Sequence, residues 1–243
     1  MIALANLDYQ DNLSSSSSRG PAYDGRIKPD VGAKGTDVYS TINPNSYGFK
    51  SGISMACPGV AGTLAQLMQA YRELNNGHDP MAGSLKAIIL NTAEDLGNPG
   101  PDFKFGWARI NALRAIRVVE EGRFDSGTIT QGATKTHVIA VPANTAQLRV
   151  MIYWTDFKAS VNTNWALVNN LNITLAEPAS TIWKPWVLSH FPPPDSLNKP
   201  AIRGIDDRNN MEPVGITANT SFILENTSTT GSTWVSVRAI GKN

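Results

Sequence analysis

Cysteine is nearly missing from this sequence. Its 243 residues hold one, Cys57, which excludes an internal disulfide and a metal centre built from cysteines. Histidine is almost as rare, with only His78, His137 and His190. Charged residues make up 17%, and 21 Lys+Arg against 20 Asp+Glu leave a net charge of +1. An average soluble domain is roughly 25% charged, so the surface must draw on Ser, Thr and Asn instead, as secreted and cell-surface β proteins do. No basic run stands out, which removes nucleic acid and anionic membranes as expected partners. No apolar stretch approaches the ~18 residues needed to cross a bilayer, and the start lacks the basic-then-apolar layout of a secretion signal. The chain as it stands is expected to be soluble.

What is present suffices for two modest domains, each with its own core. Ile2-Ala3-Leu4-Ala5 reads as a short buried strand with no turn or cap before it, so Met1 reads as a cut within a longer protein. The first half alternates apolar runs with helical patterns, the signature of an α/β layer architecture. Asp37 to Ile42 is a candidate strand, and Asn43 to Ser51 reads as loop. From Ser54 to about Leu74, Met55, Val60, Ala61, Leu64, Leu67, Met68 and Tyr71 recur at three- and four-residue steps, giving a long helix that Asn75-Asn76-Gly77 ends. A second helix is expected from about Ser84, with Leu85, Ile88 and Ile89 inward. A third is expected from Asn111 through Leu113, Ile116 and Val119, closed by Gly122. Beyond Gly122 the texture changes to alternating strands, clearest at Val138–Val141, Leu148–Trp154, Leu171–Leu175, Phe222–Leu224 and Trp234–Val237. The expectation is an α/β domain over residues 1–122 and an antiparallel β-sandwich or jelly roll over residues 123–243.

Gly52-Ile53-Ser54-Met55-Ala56-Cys57-Pro58 places a serine at the start of the long helix, after a glycine that lets the backbone turn. There the serine's own N–H and the positive end of the helix face any anion that forms beside its Oγ. An arbitrary serine before a helix is ordinarily an N-cap. Its context points elsewhere: the stretch resembles the nucleophile motif of subtilisin-like proteases, G-T-S-M-A followed by a small residue and proline. Two further segments carry the same resemblance. Ser17-Ser18-Arg19-Gly20-Pro21 with Asp24 to Val31 is similar to the segment that precedes the nucleophile in these proteases. Gly106-Trp107-Ala108-Arg109-Ile110-Asn111 is similar to the turn before the last helix of their catalytic domain. The second half resembles, more loosely, the C-terminal jelly roll of the alkaline, oxidant-tolerant subtilases through Trp154-Thr155-Asp156, Leu167 to Leu171 and Asp207 to Glu212.

The resemblance implies peptide-bond hydrolysis through an acyl-enzyme on Ser54 by a secreted or cell-surface endopeptidase acting on polypeptides. The family's aspartate, histidine and oxyanion asparagine lie upstream of the segment matched here, so the chain is expected to be a fragment that is inactive until the missing N-terminal half joins it. No local histidine substitutes. His78 follows the far end of the helix, about 30 Å from Ser54, while His137 falls in a strand of the second half and His190 precedes the Pro192-Pro193-Pro194 loop. Three departures from the family stand out. Ile53 replaces a threonine whose hydroxyl could serve the oxyanion, Cys57 replaces Ser or Thr and is expected to be buried and inert, and Lys34 replaces a common proline.

Asp206, Asp207, Asn209, Asn210 and Glu212 crowd side-chain oxygens into one turn. Such a set could wrap structural calcium, with Asp206, Asp207, Asn209 and Glu212 as ligands and Asp156 from a neighbouring loop. A plain polar turn is the alternative, and Asn170 and Asn172 stand where the relatives tend to carry aspartates. Two other functional classes compete with the endopeptidase. One is a non-catalytic pseudoprotease or binding module acting through the β-sandwich. The other is an α/β-hydrolase, disfavoured because Ala56 stands where its G-x-S-x-G elbow needs glycine and because no strand is expected directly before Ser54.

Overall fold

The computed structural model describes residues 1–142, 145–161, 163–176, 181–191, 195–216, 220–226 and 232–242. The chain opens with β1 (Leu4–Leu7), which pairs in parallel with β2 (Val31–Lys34). Both strands are short and nearly all buried, as parallel strands covered on both faces should be. β3 (Val38–Ile42) and β4 (Ser46–Lys50) then form an antiparallel ribbon. The segment before Ser54 therefore contains a strand where a loop is expected. Cross-strand pairing of Tyr39 with Phe49 and of Thr41 with Tyr47 supplies what the weak alternation of Ser46–Lys50 does not signal.

Three helices follow: α1 (Ile53–Leu74), α2 (Ala82–Thr92) and α3 (Ala112–Glu120). Asn111 caps α3 by accepting the Arg114 N–H at 2.9 Å. The inward face of α3 is Ala115, Val118 and Val119, with Ile116 half-buried; Leu113, expected inward, is exposed. α2 buries every residue from Ser84 to Thr92, so an amphipathic reading with three inward positions understates a helix covered on all sides.

Eight of the remaining ten strands build two antiparallel sheets. One has the order β12 (Met211–Ile216), β7 (Thr145–Trp154), β14 (Ser232–Lys242), β5 (Phe124–Ile129). The other runs β6 (Thr134–Ile139), β13 (Thr220–Asn226), β8 (Leu171–Ala176), β9 (Ile182–Trp183). β10 (Trp186–Val187) and β11 (Ile202–Arg203) pair separately. The two larger sheets share one apolar cluster, in which Ile129, Leu148, Val150, Ile152, Trp154 and Val214 of the first meet Ile139, Leu171, Ile173 and Leu175 of the second.

β7 shows how the two halves of the chain are joined. A strand's side chains alternate between faces, and those of Leu148, Val150, Ile152 and Trp154 join the cluster between the sheets. Met151 and half-buried Tyr153 point the other way, into a second cluster with Ile88, Leu90, Trp107 and Val118. α2 lies along this outer face of β7 and β14. Arg149 on the same face donates to the Ala93 carbonyl at 2.7 Å, and Asn91 donates back to the Arg149 carbonyl at 3.2 Å. The boundary expected at residue 122 thus crosses a continuous apolar core.

Candidate active site

The three motifs of the first half meet on β2. Gly32 N–H donates to Ala108 O at 2.7 Å and Ile110 N–H donates back to Gly32 O at 3.0 Å, while Trp107 N–H bonds Asp30 O at 2.9 Å. The Gly106-to-Asn111 segment therefore runs beside β2 and carries Trp107 into the core, where its Nε1–H reaches Met211 Sδ at 3.1 Å. At the other end of β2, Gly35 O accepts the Gly52 N–H at 2.8 Å and pins the start of α1 just beyond the carboxyl end of the parallel pair. Open α/β sheets gather ligands at this end.

Gly52 is the N-cap of α1, at φ 155° and ψ 166°, with no side-chain cap bond. Ser54 is therefore not the cap: it lies in the first turn, and it is exposed. Its amide is among the first helical N–H groups, which have no intrahelical acceptor and point outward at the positive end of the dipole. Pro58 sits four residues on and has no N–H, so the Ser54 carbonyl lacks its ordinary helical donor. The buried face of the first turns is Ala56 and Val60, packed on Ala33 with Leu4, Leu64 and Ile110 around them. Cys57, Ala61 and Gly62 lie on the exposed side, so Cys57 is not the buried residue expected. A small side chain after the nucleophile reads as core filler, but α1 has nothing over that face among the described residues. Lys34 takes an ionic role, its Nζ donating to Asp8 O at 2.6 Å and lying 3.2 Å from Asp11 Oδ1.

Gly35 fixes the position of Ser54 by being small. A Cβ built there would lie 2.6 Å from Gly52 O and 2.9 Å from Ala56 N, both backbone atoms, and 2.5 Å from Asn6 Oδ1. Gly35→Ala must push the start of α1 away. We expect a loss of about 1–3 kcal/mol, as for other overpacked sites, and a drop on the order of 10²-fold in the reactivity of Ser54, as a misplacement of about 1 Å produces. Gly59→Ala, with nothing within 4 Å of its Cβ, should instead raise helix stability by about 0.8–1 kcal/mol. Thermal melts of the two variants, with rates of Ser54 acylation for the first measured after mixing with a separately produced upstream subtilase segment, make the comparison.

None of the three histidines stands at Ser54. His78 is exposed beyond the far end of α1, and its N–H bonds Asn75 O. His137 on β6 faces Asp125 at 3.7 Å. The ring of His190 lies against Gly25, in a cleft of about 230 Å³ with Asp206 to Asn209, where burial and then the Arg208 charge push its pKa down.

The turn considered for calcium is tied by hydrogen bonds. Asp206 Oδ1 accepts the N–H groups of Arg208 and Asn209 at 2.9 and 3.1 Å, and Oδ2 accepts from Asn209 Nδ2 at 2.8 Å. Asn209 Oδ1 is taken by the Ile27 N–H at 2.9 Å. Asp207 is half exposed at the surface, and Asp156 holds the N–H groups of Phe157, Val168 and Asn169. Among the described residues no group of three or more His, Cys, Asp or Glu side chains is placed to hold a metal ion. These N–H donors to the oxygens of Asp206, Asn209 and Asp156 hold the turn by its own hydrogen bonds.

Glu212 departs most from what a loop reading suggests. It lies in β12, fully buried, with Oε2 accepting the Ile173 N–H at 2.8 Å. Oε1 is buried without a hydrogen-bond partner among the described residues. Burial, and next the charge of Asp206, push its pKa well above the usual carboxylate range. The folded protein therefore keeps a proton that the unfolded chain releases near its ordinary pKa of 4.5. Since the folded state binds more protons above that pH, stability falls as pH rises from about 4.5 towards the folded pKa. Glu212→Gln keeps the acceptor for Ile173 and should flatten this slope in urea titrations between pH 4 and pH 8. An unchanged slope would show that Glu212 is ionised in the fold.

The geometry thus defines a serine displayed at a helix N-terminus over the carboxyl edge of a parallel sheet. Residues 1–108 match the subtilase family. Among similar proteins, the minor extracellular protease Vpr of Bacillus subtilis is 36% identical over 132 residues, spanning 49% of this chain and 16% of Vpr. The extracellular serine protease of Serratia marcescens is 35% identical over 139 residues, 47% of this chain and 12% of that protein. Thermitase of Thermoactinomyces vulgaris is 35% identical over 116 residues, 48% of this chain and 36% of thermitase. In each case the match spans little more than a third of the relative at most.

Proposed function

We propose that this chain carries the nucleophile of a subtilisin-type serine endopeptidase, with peptide-bond hydrolysis proceeding through an acyl-enzyme on Ser54. The observation that carries the reading is the placement of Ser54: exposed, in the first turn of α1, held there by the Gly35–Gly52 bond. In the reaction the Oγ attacks a substrate carbonyl carbon while its proton passes to a histidine, and the oxyanion forms beside the N–H groups of the first turn. Collapse expels the amine, which takes that proton, and water then repeats the sequence on the ester.

Since all three histidines of this chain lie elsewhere, we read the activating histidine and aspartate, and an oxyanion amide, as supplied by polypeptide outside these 243 residues. By this reading the chain alone is inactive. The names of the similar extracellular proteases support a secreted or cell-surface setting and polypeptide substrates. The two antiparallel sheets with their common cluster support reading residues 123–243 as a β-sandwich domain of jelly-roll type. The α/β-hydrolase reading loses one of its objections, because β4 does precede Ser54. That strand belongs to an antiparallel ribbon and Ala56 stays in the glycine place, so the reading still fails. A non-catalytic binding module acting through the sheets is the second reading, favoured by the distance of every histidine from Ser54.

Fluorophosphonate labelling separates the two. The endopeptidase reading expects Ser54 to label only when this chain is mixed with a separately produced upstream subtilase segment, and Ser54→Ala to abolish the label. A verified complex that does not label would favour the binding module.

A further inference from the structure

The β3–β4 ribbon stands in solvent with three aromatic rings on one face. Tyr39 and Phe49 are directly opposite each other, and Tyr47 is diagonal to Tyr39. Ring centroids are 5.0 Å apart for Tyr39 and Phe49 and 6.0 Å for Tyr39 and Tyr47. All three rings are 60–66% exposed. On the opposite face Ile42 is folded over Gly48, where an added Cβ would come within 2.8 Å of its side chain. One cross-strand pair is enough to tie a ribbon; a third ring in the same exposed row is a surface feature that asks for an occupant.

Three observations say what the occupant is. Among the described residues β3 and β4 pair only with each other, so each presents a bare outer edge of the kind an extended polypeptide adds to. The aromatic face is uncharged: Lys50 is opposite Val38 on the other face, and the Asp37 carboxylate at the base accepts from Ser51 Oγ at 3.1 Å. The ribbon is also continuous with the nucleophile. Asp37 N–H bonds Ser51 Oγ at 2.9 Å and Gly52 N–H bonds Gly35 O at 2.8 Å, which clamps its base. Ser54 is only five positions after Phe49, so their Cα atoms are at most about 18 Å apart, the reach of about five residues of extended substrate.

We propose that Tyr39, Tyr47 and Phe49 form a specificity platform on which one flank of an extended polypeptide substrate lies, selecting apolar and aromatic side chains within about five residues of the bond attacked by Ser54. The assignment rests on the endopeptidase reading for its catalytic meaning, and binding tests it independently. The probe is a fluorescein-labelled decapeptide of alternating Phe and Ser, compared by anisotropy with one of alternating Gly and Ser, titrated with the full 243-residue chain.

The Phe peptide is expected to bind at least tenfold tighter. Tyr39→Thr and Phe49→Thr, strand-forming replacements, should remove most of that preference, and Tyr47→Phe should keep it. Tyr47→Thr leaves the Tyr39–Phe49 pair intact, so its loss of preference counts even where the other two variants loosen the ribbon. Tyr23→Thr, an exposed ring away from the ribbon, should bind like the wild type. Equal binding of the two peptides, or a preference that survives Tyr47→Thr, overturns the platform. So does concentration-dependent self-association that Tyr47→Thr abolishes without changing peptide binding, since the occupant would then be a second copy. Ser54 that labels normally in the upstream complex while the preference is absent removes the platform alone. A retained preference with no labelling supports the platform and overturns the endopeptidase reading.

Discussion

Ser54→Ala, made in a complex of this chain with the polypeptide that completes its site, is expected to lower turnover of a chromogenic peptide by on the order of 10⁶. That magnitude is the known consequence of losing the serine or histidine in subtilisin, and the endopeptidase reading carries it to Ser54. The isolated wild-type chain should already lie near background, for the same physical reason. A serine hydroxyl without a neighbouring base is a weak nucleophile at neutral pH, and no histidine stands beside Ser54. Subtilisin without its triad keeps roughly 10³–10⁴ over water through its oxyanion hole and substrate cleft. Here the first-turn N–H groups of α1 are present, and the endopeptidase reading draws the remaining amide from polypeptide outside these 243 residues. Turnover by the isolated chain within a hundredfold of the complex would show that Ser54 is activated by groups within this chain, and would remove the need for an outside histidine.

Asp30→Ala is expected to be the most destabilising single substitution tested. Asp30 is fully buried and accepts from Lys28 Nζ at 2.7 Å through both oxygens, with Lys86 Nζ at 3.2 Å and the Ala3 N–H at 2.7 Å. One carboxylate thus ties the start of β1 to β2 and α2. Without it, two ammonium groups face each other in a poorly hydrated space. Lys28 is a third exposed and can turn to solvent, which reduces its share of the cost, but the Lys86 side chain is only 11% exposed. Burial already pushes the Lys28 pKa down against the pull of Asp30, and the substitution removes the pull. Breaking a buried pair of this kind costs about 3–5 kcal/mol, or roughly 6–20 °C in Tm for a chain of this size. Asp30→Asn keeps an acceptor for Ala3 and should lose less. A Tm drop under about 3 °C for Asp30→Ala would mean that water reaches both lysines and that the triad contributes little.

Local chemistry made the start of α1 legible. A glycine, a serine and a helical apolar period in succession specify a turn followed by a helix start, and α1 begins at Ile53 as that pattern requires. Leu171–Leu175 was legible through its strict alternation, and Leu148–Trp154 through a short, nearly continuous apolar run of the kind a strand covered on both faces carries. β4 was not legible, because its apolar residues are held by cross-strand partners on β3 rather than by a core. Cys57 was misread because the size of a residue says nothing about whether another element covers it.

The carboxylates depended still more on tertiary context. Asp206, Asp207, Asn209 and Glu212 are adjacent in sequence, and adjacency suggested shared ligands. The fold gives each its own setting: Asp206 and Asn209 bond each other and the backbone, Asp207 stays at the surface, and Glu212 is carried by β12 into the space beside Ile173. The sequence by itself determined where the three helices and the core strands lie, since these follow from residue types and spacings within a few turns of chain. Only the tertiary structure decided which side chains are covered, which charges are paired and where each histidine lies relative to Ser54, because each of those depends on contacts between residues that the chain keeps far apart.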